Sequence, residues 1–207
     1  MKKVTVFNSL GNKLEEFAPI VPGKVSIYCC GPTVYNDPHI GNFRPVIVFD
    51  VLLKLFILLG YEVKFVSNYT DVDDKIIKRA KEVNITEKEL TELVIAEYRR
   101  LVAAVGSAQP DETPKPTVYM EQIEKYVQDL VDNGSAYSVD GDVYLKVTDV
   151  PKYGELSGNS VEDLESGARI DINEKKRNPI DFALWKETNE GIKWNSPWGS
   201  GRPGWHT

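Results

Sequence analysis

Apolar residues recur along this chain with two rhythms. Short apolar or alternating runs predict strands over 4–7, 25–30 and 61–67. Between the last two, residues 42–59 carry an apolar side chain on almost every turn, entered through Pro45 and closed by Gly60, which predicts a helix. Asp50 and Lys54 interrupt that run at i, i+4 spacing, so it reads as a buried helix with one polar edge. A strand, a helix and a strand within about 45 residues predict one right-handed βαβ unit with a parallel sheet. The expected class is α/β, with ligands beyond the carboxyl ends of the strands, where Cys30 and Thr70 fall.

Further along, residues 73–83 predict a short helix, and Thr86 with Glu89 forms a capping box opening a helix through about 105. Leu90, Leu93, Val94, Ala96 and Leu101 keep its 3.6-residue rhythm. The Pro-rich, charged stretch 110–116 is the best place for a domain boundary. A helix over 118–132 follows, with Val118, Ile123, Tyr126, Val127 and Leu130 on one face and Gly134 as its stop. Residues 136–147 predict a hairpin turning at Asp140-Gly141. Residues 148–178 are charged and weakly patterned, 181–186 predict a strand, and 194–205 read as a loop rich in Gly, Pro and Trp.

Composition narrows the classes. With 207 residues, 42% hydrophobic and 27% charged, the chain has the make-up of a soluble globular protein of one large or two small domains. A net charge of -6 gives no overall attraction to nucleic acid, so an RNA partner must be met by local basic patches or by protein beyond this chain. Lys75, Lys78, Arg79 and Lys81 form one cluster and Lys175, Lys176 and Arg177 another, though such clusters are most often solvated faces. No secretory signal opens the chain, and the apolar run 46–59 is shorter than the roughly 20 residues a bilayer span needs. The only cysteines, Cys29 and Cys30, are adjacent, which gives no disulfide framework and suits a reducing, cytoplasmic setting. Strand alternation sends one of them toward the core and the other to the opposite side.

The residues best suited to chemistry lie between Tyr28 and Asn42. A strand breaks at Gly31-Pro32 and delivers a thiol, His39 and Gly41 just before a long helix. Unpaired N–H groups and the positive dipole end at such a helix start suit a polyphosphate, and Gly41 permits close approach. On its own, a histidine before a glycine is more often a cap, and Asp71, Asp73 and Asp74 are more often helix-start charges than a Mg²⁺ site.

The same stretch, Cys30-Gly31-Pro32-Thr33-Val34-Tyr35 with Pro38-His39-Ile40-Gly41-Asn42, resembles the first signature of the cysteinyl-tRNA synthetases, class I aminoacyl-tRNA synthetases. Asn42 stands where that signature usually has a second histidine. Asn68-Tyr69-Thr70-Asp71-Val72-Asp73-Asp74-Lys75, Lys176-Arg177-Asn178-Pro179, Ala183-Leu184-Trp185-Lys186 and the segment from Pro197 to His206 resemble later family segments in the right order. The resemblance implies a Rossmann-type nucleotide-binding half-domain over 1–115, a connective-peptide insertion over 116–198, and the start of the second half over 199–207. It implies ATP-dependent, Mg²⁺-assisted activation of L-cysteine to cysteinyl-adenylate and transfer to tRNA-Cys, by a cytoplasmic protein that is a monomer when complete.

By the same resemblance, His39 and Asn42 are catalytic, and Pro32, Thr33, His39, Gly41 and Asn42 bind ATP. Cys30, Gly31, Thr70 and Trp205 bind the amino acid, and Cys30 is a ligand of a Zn²⁺ that holds the substrate thiolate. Zinc then explains selectivity, because a soft thiolate outcompetes the hydroxyl of serine. The remaining zinc ligands and the Lys-Met-Ser-Lys-Ser loop are expected beyond Thr207, so the isolated chain is expected to be inactive and to hold zinc poorly. Two other outcomes stay open: a cysteine ligase of mycothiol synthesis, and a noncatalytic nucleotide- or tRNA-binding relative.

Overall fold

Residues 3–158 and 175–204 are described by the computed structural model, and they fall into two units. Ala18–Met120 is the first; the described residues of Lys2–Phe17 and of Glu121–Thr207 make the second. The N-terminal segment of the second unit is a hairpin of β1 (Thr5–Asn8) and β2 (Lys13–Glu16), antiparallel with Thr5 opposite Glu16. The sequence pattern gave only the first of these strands, because Lys13-Leu14-Glu15-Glu16 has a single apolar residue.

In the first unit, β3 (Lys24–Cys29) and β4 (Glu62–Ser67) run parallel, with Lys24 opposite Glu62 and Cys29 opposite Ser67. Along β3, Val25 and Ile27 are buried while Lys24, Ser26 and Tyr28 are exposed, a period of two that marks a sheet covered on one face. Between the strands runs α1 (Phe43–Leu58), preceded by a 3-10 turn over Ile40–Asn42. The helix is less buried than its composition predicts. Asp50, Leu53 and Phe56 form one buried stripe, whereas Val48, Val51, Ile57 and Leu58 are more than half exposed. Asp50 is held by the Ala108 N–H at 2.9 Å and the Lys54 ammonium at 2.7 Å.

After β4 come α2 (Asp74–Val83) and α3 (Glu87–Ala104), the latter opened by the expected Thr86/Glu89 capping box. Their inner faces close on Val34 and Tyr69, giving a core that includes Ile76, Ala80, Leu90 and Val94. Leu93, one step off that stripe, is 65% exposed. The connector at 110–116 is woven into the sheet edge. Asp111 N–H donates to Phe65 O at 2.8 Å, Ser67 N–H to Glu112 O at 3.1 Å and Tyr69 N–H to Pro114 O at 3.0 Å. These bonds satisfy the outer edge of β4, which would otherwise present bare polar groups.

The second unit continues with α4 (Met120–Asp132) and a five-stranded antiparallel sheet. Its strands are β5 (Ala136–Val139), β6 (Asp142–Leu145), β7 (Phe182–Glu187), β8 (Trp194–Ser196) and β9 (Gly199–Pro203), in spatial order β5-β6-β7-β9-β8. On α4, Val127 is fully buried, but Tyr126 is 57% exposed, and Val118 lies outside the helix. The predicted loop over 194–205 is instead the β8–β9 hairpin as far as it is described. Gly201 is there for space: an added Cβ would lie 2.3 Å from Lys186 O and 2.5 Å from the indole nitrogen of Trp185. Its glycine is thus a strand residue under close approach, not a loop signal. Trp198, at the hairpin turn, packs against the fully buried Trp185 with ring centroids 5.7 Å apart.

Candidate functional site

At the carboxyl ends of β3 and β4 the chain stays zipped past both strands. Thr70 N–H donates to Pro32 O and Val34 N–H to Thr70 O, each at 3.1 Å, so Thr33 and Thr70 form a parallel bridge. Gly31 sits where the two chains come closest. A Cβ on it would fall 1.6 Å from Asn68 O and 2.8 Å from Asn68 C, both backbone atoms, so no other residue fits without moving a strand end.

Two adjoining cavities open here. The larger, of about 330 Å³, has Cys29, Cys30 and Gly31 on one wall and Gly41 and Asn42 on another. The smaller, of about 100 Å³, is bordered by Pro32, Thr33, His39 and Asn42. The expected residues Cys30, Gly31, Pro32, Thr33, His39, Gly41 and Asn42 are therefore all brought together at one end of the parallel sheet. Thr70 is only 8% exposed and lies behind the walls, its hydroxyl accepting from the Asn68 amide at 3.2 Å. Trp205 and His206 lie outside the described residues.

His39 is an N-cap: its Nδ1 accepts from Gly41 N–H at 3.1 Å, while its own N–H donates to Asn42 Oδ1 at 2.9 Å. With Nδ1 accepting, a neutral imidazole carries its proton on Nε2, which is then a donor toward a ligand. Capping and ligand contact are compatible, because they use different nitrogens. Asn42 supplies the reciprocal half of the cap through its side-chain oxygen.

Cys29 is half-buried and Cys30 exposed, in line with strand alternation, yet both border the larger cavity. Burial pushes the Cys29 thiol above its ordinary range, and neighbouring Cys30 adds to this. Among the described residues no group of three or more His, Cys, Asp or Glu side chains could hold a metal ion. Cys30 can offer a zinc ion one soft donor, and the described residues do not complete a tetrahedral set around it.

Two further residues shape the site, and the sequence pattern did not mark them. Tyr98 of α3 borders both cavities, stacked with Phe43 at 5.9 Å and edge-on to Tyr69 at 5.8 Å. Burial raises its hydroxyl pKa to about 12, with Tyr69 and Cys29 adding to the effect, so it stays neutral and serves as an aromatic wall. Its only sequence signal is i, i+4 spacing from Val94, which itself stands four after Leu90. Asn68 spans the strand ends through its side chain. A polar residue just past a strand gives no such signal.

The acidic cluster is structural. Asp73 caps α2 by accepting from Lys75 N–H at 2.8 Å, and buried Asp71 accepts from the backbone N–H and hydroxyl of Thr117. Lys75, Lys78 and Arg79 flank a separate open groove with Tyr35, over whose ring the Lys75 ammonium lies at 5.5 Å. In the second unit Lys175 pairs with Asp142 at 3.2 Å and Arg177 stacks on Tyr137 at 4.2 Å, so that basic run is partly tied down.

A parallel strand pair whose loop carries a capping histidine to a helix start, beside a strand-end cavity, defines the arrangement as α/β with its candidate site at the strand ends. The family description "tRNA synthetases class I (C) catalytic domain" matches residues 16–207. A cysteine–tRNA ligase of Finegoldia magna is 51% identical over 204 residues, 97% of this chain and 44% of that protein. One from Acholeplasma laidlawii is 50% identical over 202 residues, 98% of this chain and 46% of that protein. A crystal structure of the ternary complex of Agrobacterium radiobacter K84 agnB2 LeuRS with tRNA and LeuAMS shares the fold. It matches with a TM-score of 0.51 and 22% identity over 61% of this chain and 17% of that one. The chain belongs to the cysteinyl-tRNA synthetase family, and it spans less than half the length of the curated relatives it matches.

Proposed function

We propose that this chain supplies the ATP- and cysteine-binding half of a cysteine–tRNA ligase. Residues 1–115 are read as the first half of a Rossmann-type catalytic domain, 116–198 as a connective-peptide insertion and 199–207 as the start of the second half. The observation that carries this is the convergence of the Cys30-Gly31-Pro32-Thr33 strand end and the His39–Asn42 cap on two adjoining cavities. The carboxylate of cysteine attacks the α-phosphorus of ATP and pyrophosphate leaves; a hydroxyl of the terminal ribose of tRNA-Cys then attacks the carbonyl carbon of the adenylate, taking the acyl group and releasing AMP. Neither step needs a covalent enzyme intermediate; positioning and charge stabilisation suffice.

In this reading His39 donates from Nε2 to a phosphate oxygen, with Asn42 holding the cap and assisting as donor. Gly41 leaves room for the nucleotide, and Pro32 and Thr33 border it. Mg²⁺ accompanies the ATP phosphates. Cys30 and Gly31 border the amino acid, with Thr70 behind them; Trp205, outside the described residues, is assigned to it by the family resemblance alone. Zinc, when bound, would polarise and select the substrate thiolate, and Cys30 is its one donor in the described part of this chain. The complete protein acts in the cytoplasm as a monomer. The test is cysteine-dependent ATP–pyrophosphate exchange by the full-length protein. His39→Ala and Gly41→Val should each lower it, the former by about 10²-fold as expected for one lost charge-stabilising donor. Wild-type rates in both variants would refute the assignment.

A further inference from the structure

We propose that Asn68 is a positioning residue that fixes the presentation of Cys30 to the larger cavity. This rests on the reading of that cavity as the amino-acid site. Gly31 N–H donates to Asn68 Oδ1 at 2.8 Å, and the Tyr28 hydroxyl donates to the same oxygen at 3.0 Å. Asn68 Nδ2 donates to Thr70 Oγ1 at 3.2 Å. The amide cannot be turned over, because a backbone N–H can only donate and must face the oxygen. The nitrogen is therefore committed to Thr70, whose hydroxyl accepts and is left with its own proton to give elsewhere.

The consequence passes to Cys30 through one rigid plane. The described peptide bonds are all trans, so Cys30 C=O and Gly31 N–H point in opposite directions from a planar unit. Asn68 holds the N–H edge, and the Cys29 thiol lies 3.6 Å from Cys30 O at the other edge. With one edge held by a hydrogen bond and the other by a weaker thiol contact, rotation about the bonds flanking that plane is restrained, which keeps the Cys30 side chain on the exposed, cavity side. Asn68 borders neither cavity, so it acts through Gly31 and Thr70 and not by touching a ligand.

The test compares Asn68→Ala, which removes both halves of the bridge, with Asn68→Asp, which keeps acceptors for Gly31 and Tyr28, in the full-length protein. The first readout is residue-resolved alkylation of Cys30 against Cys29 by iodoacetamide after any bound zinc has been removed with a chelator, so that neither thiol is masked by a metal. Wild type should alkylate Cys30 faster. Asn68→Ala should shift the ratio at least threefold, and Asn68→Asp should restore it to within twofold. The second readout is pyrophosphate exchange, where Asn68→Ala should raise KM for cysteine about tenfold, the effect of losing a bond or two, with KM for ATP unchanged. An unchanged alkylation ratio in Asn68→Ala, equal rises in both KM values, or no rescue by Asn68→Asp would overturn the proposal. Absence of cysteine-dependent exchange in the wild type would sink the functional reading instead, and the alkylation ratio would still decide the role of Asn68.

Discussion

Replacing Gly31 by alanine tests how tightly the strand ends must meet. The added methyl would lie 1.6 Å from Asn68 O and 2.8 Å from Asn68 C. Comfortable separation is about 3.5 Å, so the two chains must part by roughly 2 Å. Such a shift breaks the Gly31–Asn68, Thr70–Pro32 and Val34–Thr70 hydrogen bonds, now 2.8, 3.1 and 3.1 Å long. At about 1 kcal/mol each the loss is about 3 kcal/mol, a large part of the 5–15 kcal/mol that stabilises a typical domain. Gly41→Ala is the control, because its methyl meets only the His39 imidazole, at 2.9 and 3.0 Å, and an exposed ring can swing away at the loss of one cap hydrogen bond. It should cost under about 1 kcal/mol. A chain of two units need not unfold in one step, so the measurement is native-state hydrogen exchange at the Val34 and Thr70 amides. Gly31→Ala should lower their protection by about 10²-fold, since each 1.4 kcal/mol is tenfold. Protection within threefold of wild type, or equal effects of the two substitutions, would refute the steric reasoning.

Other expectations follow from the same geometry. Asp181, 2% exposed, accepts from the Tyr137 hydroxyl and from the Val147 and Asn178 N–H groups at 2.8, 3.1 and 3.2 Å; Asp181→Ala should destabilise the second unit by about 3 kcal/mol, read by exchange at the Val147 amide. Wild-type protection there would show that water replaces the carboxylate. The Cys29 thiol, raised by burial, should need a more alkaline pH than a free cysteine for half-maximal alkylation, and an ordinary thiol profile would contradict its placement. Tyr98 should be the last tyrosine to ionise, near pH 12 in an ultraviolet titration that Tyr98→Phe simplifies by one group. Because its folded pKa is raised, the stability it contributes is intact below the ordinary tyrosine range near 10 and is lost as pH climbs toward 12.

Much of this arrangement could be read from the residues. The βαβ order, the Thr86 capping box, the Asp140-Gly141 hairpin and the cap at His39 are local, and local chemistry is written in spacing. What escaped was set by distant partners. Gly201 and Pro203 resemble loop residues until Trp185 and Lys186 are seen against them, and a helix as apolar as α1 gives no hint of which stripe is covered. Asn68 and Tyr98 matter for what they touch across the fold, and no short-range pattern marks such contacts. Cys29 and Cys30 were separable by alternation, but not their shared place on one cavity wall.

The bare side of α1 also governs how the chain behaves in bulk. Val48, Val51, Ile57 and Leu58 give it an apolar stripe, and electrostatic repulsion from a net charge of -6 opposes association through it at neutral pH. That repulsion fades toward the isoelectric point near 5.1 and is shortened by salt. Light scattering from this chain should therefore climb as pH falls from 7 toward 5, earlier at higher ionic strength, and Val51→Glu with Leu58→Lys, which leave net charge unchanged, should flatten the rise.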